Sequence, residues 1–266
     1  MTDMNAAKAP VDEQKPPEPT ERSPLRLGTL LAICRVSNLP TVWMNVLTAA
    51  ALCGVPPGPG ASPGLSPGVV LLLAASLSAF YCGGMALNDV FDRDWDAEHQ
   101  PFRPIPAGRI TLAAARRLTA LLFTAALALL ALAPEASALA PGLALLAIIF
   151  AYDRFHKAFA GAVFVMAATR AMVFVVTAWA VGGEFFPLVA IAAAAQFLYT
   201  VLVSAVARHE NTRGVPYSFP LIPRMIAGMS VLDGTLLAIF LHPAWLLAGL
   251  AAAFMTHFGQ RYVRGD

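Results

Sequence analysis

The residues with the most chemistry in this chain are Asn88-Asp89-Val90-Phe91-Asp92-Arg93-Asp94-Trp95-Asp96. They follow an apolar run, residues 69–87, that is long enough to cross a bilayer as a helix. An acidic cluster at a membrane surface is a place to hold divalent cations, and divalent cations hold phosphates. On a helix, Asp89, Asp92 and Asp96 stand at i, i+3 and i+7 and share one face, whereas Asp94 points elsewhere. The expectation is a carboxylate stripe, with Asp94 as an ordinary surface residue. The Asp92-x-Asp94-x-Asp96 spacing also imitates the start of an EF-hand loop. That reading fails, because Ala97 stands where the loop needs glycine and Arg103 where it needs glutamate.

A helical framework must carry this stripe. The chain is 58% hydrophobic and 13% charged, whereas a soluble domain is about a quarter charged. Apolar runs at 36–55, 68–90, 112–133, 139–152, 158–181, 187–207, 222–241 and 243–260 predict an all-α, multi-pass transmembrane bundle of about eight spans. Residues 25–35 read as an amphipathic lead-in at the interface. The connections alternate between loops rich in Lys and Arg and loops with none, at 56–67, 134–141, 182–187 and 242–243. By the positive-inside rule the basic set, with both termini, is cytoplasmic. Residues 1–24, with five prolines, read as a disordered cytoplasmic tail rather than a signal peptide. The expected transmembrane domain is 25–266, and its first span would act as the targeting signal.

The basic loops bear the candidate chemistry: Asp153 and Lys157 between the fourth and fifth spans, and Arg208-His209-Glu210-Asn211-Thr212-Arg213 after the sixth. Two charges stand inside spans instead. Arg170 lies midway along the fifth and Asp233 at comparable depth in the seventh. A lipid-facing charge at that depth costs at least about 2.5–3.5 kcal/mol, so both must face the interior, and a buried Arg170–Asp233 pair is the simplest resolution. Asn45, Gln196 and Tyr199 read as helix-packing hydrogen-bond groups. Cys34, Cys53 and Cys82 have no disulfide or metal spacing and read as small buried hydrophobes. The basic residues are spread as topology anchors, and nothing suggests nucleic-acid recognition.

The motif Asn88-Asp89-x-x-Asp92-x-x-x-Asp96, followed by Arg103-Pro104-Ile105-Pro106-x-Gly108, resembles the first signature of the UbiA superfamily of intramembrane prenyltransferases. Tyr152 with Lys157 resembles the family's Y-x-x-x-K-type element, and Arg35-x-x-Asn38-Leu39-Pro40-Thr41 resembles the opening of the first helix in one branch. The resemblance implies that a prenyl diphosphate, bound through Mg²⁺ by two aspartate-rich motifs, ionises and alkylates a lipophilic, usually aromatic, acceptor inside the membrane. The chain departs from the family where the second motif belongs, at the end of the sixth span. That region holds one carboxylate, Glu210, and no aspartate. The pattern looks most like a divergent, EboC-like branch.

The resulting expectation is a Mg²⁺-assisted prenyltransferase. Asp89, Asp92, Asp96 and Glu210 are the expected metal ligands. Asn88, Arg103, Lys157, Arg170, Arg208 and Arg213 are expected to bind substrate. Asp92, Asp96 and Asp153 are the catalytic carboxylates, Asp153 being the candidate general base. The rival is a non-catalytic isoprenoid carrier that kept the first motif and lost the second. A weaker third reading is an ion-coupled transporter built on Arg170 and Asp233.

Overall fold

The computed structural model describes residues 26–53, 66–157, 161–213, 217 and 219–263. The expected tail at 1–24 and most of the 56–67 loop lie outside them. Among the described residues all regular structure is helical: α1 (Leu27–Ile33), α2 (Leu39–Leu52), α3 (Pro67–His99), α4 (Leu112–Leu130), α5 (Leu139–Phe155), α6 (Ala162–Gly182), α7 (Pro187–Arg213), α8 (Leu221–Phe240) and α9 (Trp245–Gly259). Six of these, α3 to α8, are long and apolar enough to cross a membrane. The bent pair of α1 with Val36–Leu52, kinked by 59°, makes a seventh where the two are counted as one span. The last expected span forms as α9, apolar but only 15 residues long.

Two helices outrun their apolar cores. The second expected span continues as helix to His99 and the sixth to Arg213. At 1.5 Å per residue the 33-residue α3 is about 50 Å long, well beyond about 30 Å of hydrocarbon. Its last three turns therefore carry the carboxylates at and past the membrane edge.

α2 is the axis of the bundle. Eleven of its 14 residues are buried, and it packs against α3, α6, α7, α8 and α9. The outward faces carry large exposed apolar side chains such as Leu121, Leu143, Leu198, Leu247 and Phe254. Lipid tails are as apolar as leucine, so such faces are at home in a bilayer. The protein is an integral membrane protein. α8 and α9 meet backbone to backbone at Gly234 and Gly249. A Cβ on Gly249 would lie 2.5 Å from the Ser230 carbonyl oxygen and 2.8 Å from Gly234 Cα.

The interior is stitched by polar groups. Arg170 on α6 donates to Asn45 Oδ1 at 3.1 Å and to Thr41 Oγ1 at 3.0 Å, both on α2. Asn45 Nδ2 donates to Asp233 Oδ2 on α8 at 2.6 Å. Gln196 on α7 donates to Asp233 Oδ1 at 2.9 Å and to the Met229 carbonyl at 2.8 Å. Arg170 and Asp233 thus share a cluster with Asn45 between them instead of touching. The primary amide suits that place, because its oxygen accepts from the cation while its nitrogen donates to the anion. Asn45 and Gln196 are packing hydrogen-bond groups as expected, and Tyr199 Oη reaches the Met225 carbonyl at 3.0 Å.

Removing either charge leaves the other uncompensated in the membrane interior. Arg170→Ala and Asp233→Ala should each destabilise the protein by up to about 3–5 kcal/mol. The double variant should cost clearly less than the sum, because both act on one network. Denaturation in detergent measures this, and strictly additive losses would show that Asn45 does not couple the two.

Candidate functional site

The stripe on α3 forms as the spacing predicts. Asp89, Asp92 and Asp96 are buried, and Asp153 from the last turn of α5 is buried beside them. Asp94 points away and pairs at the surface with Arg93 at 2.9 Å, its side chain 85% exposed. Asn88 ties the two helices together. Its Nδ2 lies 3.4 Å from Asp92 Oδ2 and 3.3 Å from Asp153 Oδ1.

Four buried carboxylates in one place repel each other, and cations from three further segments answer them. Arg103 donates to Asp89 Oδ1 at 2.8 Å, and its Nε lies 3.6 Å from Asp96 Oδ2. The loop that carries it curls back on itself. Ala107 N–H bonds the Arg103 carbonyl, Arg109 N–H bonds that of Pro104, and Gly108 takes a left-handed φ of 68° that suits glycine. Ile105 and Ile110 anchor this loop in an apolar cluster with Ile33, Cys34, Cys82 and Ala86. Lys157, just past α5, reaches Asp92 Oδ1 at 2.6 Å. Its ammonium also sits 4.5 Å from the centroid of the Trp95 ring, a cation–π contact that holds it over the stripe.

Two further partners were not assigned a role from the sequence. Arg35 donates to Asp89 Oδ1 at 3.3 Å and Asn88 Oδ1 at 3.4 Å. It sits in the break between α1 and the 3₁₀ turn Val36–Asn38 with φ 44°. Among the described residues it is the one non-glycine residue at positive φ. The sequence shows it as a basic lead-in residue that opens the Arg35-x-x-Asn38-Leu39-Pro40-Thr41 element, with no carboxylate partner indicated. His156 Nε2 lies 3.2 Å from Asp92 Oδ2. The hydrogen bond to Asp92 holds the imidazole above its ordinary value. Its contribution to stability is therefore full below about pH 6.5 and is lost as pH rises through the raised value. Its adjacency to Lys157 was the available signal.

The end of α7 has contacts of its own. Glu210 Oε1 accepts the Tyr217 backbone N–H at 2.7 Å, closing the start of the α7–α8 connection. Arg213 lies 5.7 Å from the Tyr217 ring centroid. Arg208 is exposed at the same helix end. Among the described residues no hydrogen bond or ion pair joins Glu210 to the carboxylates of α3. Arg170 lies deeper, in the polar interior described above.

Not every carboxylate oxygen is used. Both oxygens of Asp96 and Oδ2 of Asp153 are buried without a hydrogen-bond partner. Such atoms are costly unless something completes them. Among the described residues no three His, Cys, Asp or Glu side chains are assembled to hold a metal ion by themselves. The expected ligands Asp89, Asp92, Asp96 and Glu210 are therefore not gathered into one ready-made metal site.

Asp89, Asp94 and Asp96 should therefore separate on substitution. Asp89→Asn leaves Arg35 and Arg103 without their shared anion and should destabilise by up to about 3–5 kcal/mol. Asp94→Asn should stay within about 0.5 kcal/mol. Asp96→Asn relieves a buried charge that has no hydrogen-bond partner and only Arg103 at 3.6 Å, and its stability should equal or exceed the wild type. Thermal unfolding of the purified variants measures this, and equal losses for all three would refute the partition.

The family described as UbiA prenyltransferase family matches residues 38–265. Digeranylgeranylglyceryl phosphate synthases from Ignicoccus hospitalis and Methanothrix thermoacetophila are 37% and 38% identical, over 41% and 36% of this chain. The matches span about a third of each relative's length, 30% and 34%. A solved digeranylgeranylglyceryl phosphate synthase superposes with a TM-score of 0.57 at 18% identity, over 89% of this chain and 95% of that one. A UbiA homologue from Archaeoglobus fulgidus bound to DMAPP and Mg²⁺ gives 0.55 at 18% identity, over 88% and 85%. At such identities the structural likeness is one of fold. The family match takes in most of the chain and contains the whole carboxylate site, and this protein belongs to the UbiA prenyltransferase family.

Proposed function

We propose that this protein transfers a prenyl group from a prenyl diphosphate to a lipophilic acceptor within the membrane. The observation that carries the reading is the pair of Asp96 oxygens without a hydrogen-bond partner, in a cluster where Arg35 and Arg103 hold Asp89, and Lys157 and His156 hold Asp92. Asp89, Asp92 and Asp96, with Glu210 from the end of α7, would hold Mg²⁺. When bound, the metal supplies Lewis-acid neutralisation of the departing diphosphate. Arg35, Arg103 and Lys157, which now neutralise carboxylates, are the cations that diphosphate oxygens would take over. Arg208 and Arg213 add fixed positive charge at the end of α7, which lacks aspartates and where a planar fork suits phosphate oxygens. Asn88 bridges the two carboxylate-bearing helices and would keep Asp92 aimed.

The allylic C–O bond breaks and its electron pair leaves with diphosphate. The acceptor's nucleophilic atom forms the new bond to the freed carbon and loses a proton. Asp153, buried with Oδ2 unpartnered, would receive it. The surrounding apolar bundle keeps water from the cation. An aromatic ring, with Arg170 in its binding site, is the expected acceptor of the wider resemblance. The named relatives make a glyceryl phosphate ester instead, and the EboC-like branch belongs to the same proposal. We place the basic end of the bundle in the cytoplasm, in the cell (inner) membrane, with both termini inside and residues 1–24 as a cytoplasmic tail.

Incubating the purified protein with Mg²⁺, allylic prenyl diphosphates and membrane-lipid extract should release inorganic diphosphate. Asp96→Asn should lower the rate by about 100-fold or more, the scale of a lost transition-state electrostatic contact. Tight binding of prenyl diphosphate with no release of diphosphate would replace the enzyme by the carrier reading. Orientation has its own test. A cysteine at Ser137, exposed between α4 and α5, should react with an impermeant reagent added outside intact cells, and one at Glu98 should not. The reverse pattern would invert the proposed topology.

A further inference from the structure

A cavity of 190 Å³ lies between α3, α4 and α5. On α3 it is lined by Leu87 and Val90, which stand on the side of that helix turned away from Asp89, Asp92 and Asp96. The helix thus separates it from the carboxylate cluster. Ala120 of α4 and Phe150 of α5 line it and are exposed, so it opens on the outward, lipid-facing surface. The ring of Phe123 backs it, 5.7 Å from that of Phe150 between centroids. Thr119 also borders it, but its hydroxyl donates to the Ala115 carbonyl at 3.0 Å. Water needs several polar partners to settle in a cavity, whereas an apolar cavity of about 150 Å³ stays dry and takes up hydrocarbon.

The exception to this apolar lining is Arg116. It lies near the start of α4, and so at the carboxylate end of the bundle, and it is exposed. Among the described residues it has no hydrogen bond or ion pair. Asp94, one turn beyond Val90 on α3, is engaged by Arg93 at 2.9 Å instead. Arg117 follows with a second exposed cation. An arginine lays its methylenes along apolar surface and keeps its charged head at the polar edge. At the end of a span that edge is the level of the lipid headgroups, and the planar guanidinium matches phosphate oxygens. An apolar slot topped by a cation has the two parts of a phospholipid in the same order.

We propose that this cavity holds one membrane phospholipid of net negative charge, with an acyl chain against Phe123 and Phe150 and the headgroup phosphate at Arg116. Net charge selects the headgroup, because Arg116 and Arg117 together attract an anionic lipid and repel the ammonium of a zwitterionic one. This lipid is neither donor nor acceptor in prenyl transfer, since α3 stands between it and the carboxylates. It fills the gap between three helices that carry or adjoin the site, and joins them from the bilayer side.

Native mass spectrometry of the delipidated full chain in detergent, titrated with lipid, tests it by the affinity of the first lipid bound. Dioleoylphosphatidylglycerol should bind about fivefold more tightly than dioleoylphosphatidylcholine, the scale of one basic residue at an anionic headgroup. Arg116→Gln should bring that preference within about twofold. Arg117→Gln removes the same charge next to the cavity but outside its lining, and should keep most of the preference. Ala120→Phe fills the cavity from its exposed side, where a larger ring fits without disturbing the core, and should weaken both lipids about tenfold. Inorganic phosphate in molar excess should not displace the phosphatidylglycerol. Equal binding of the two lipids by the wild type overturns the proposal. So does an equal loss of preference in the Arg116 and Arg117 variants, which would mean general surface charge. Wild-type lipid binding by Ala120→Phe, or displacement of the lipid by free phosphate, overturns it as well, because the acyl chain would then not occupy the cavity.

Discussion

Four carboxylates packed at one end of a membrane bundle repel one another, and the fold of that end is the answer to this repulsion. Asp89, Asp92 and Asp96 on α3 and Asp153 on α5 are all buried. Buried anions persist only when paired. The partners come from the α1–α2 break (Arg35), the loop after α3 (Arg103) and the end of α5 (His156 and Lys157). Each draws its segment over the stripe. Arg35 holds a left-handed backbone to do so, and Arg103 rides a loop anchored by Ile105 and Ile110. Charge compensation thus organises the loops at that end of the bundle.

The compensation is incomplete in a way that points to a ligand. Asp89 is shared by two arginines and Asp92 by a lysine and an imidazole, but Asp96 has only a distant guanidinium at 3.6 Å. A cation with phosphate oxygens would meet its unused lone pairs and give the neighbouring arginines and lysine a second anion. The same groups that stabilise the ligand-free cluster would then contact the diphosphate, so little new structure has to form on binding.

A second electrostatic constraint acts in the membrane interior. There each polar group must find a protein partner, because lipid offers none. The Arg170–Asn45–Asp233–Gln196 network links α2, α6, α7 and α8. It fixes the rotation of these helices about α2. The upper cluster and this network meet at α3, where Tyr81 lies against Arg170 two turns inward of Asn88.

The sequence by itself determined the helical class, the approximate spans and the division of Asp94 from its neighbours. Hydrophobic run length and the 3.6-residue repeat are local properties, and local properties can be read along a chain. The inward placement of Arg170 and Asp233 was also legible, since bilayer depth leaves a charge no other choice. Only the tertiary structure decided who compensates whom. Arg35 is 54 residues from Asp89 in the chain, and Asn45 is 188 from Asp233. At such separations nothing in the spacing distinguishes a site residue from a topology anchor. Likewise the continuation of α7 to Arg213 follows from helix propagating past the apolar run, which a hydropathy boundary cannot register. Asn45 stands between Arg170 and Asp233 because α2 runs through the centre of the bundle, and that position is set by the packing of all the helices together.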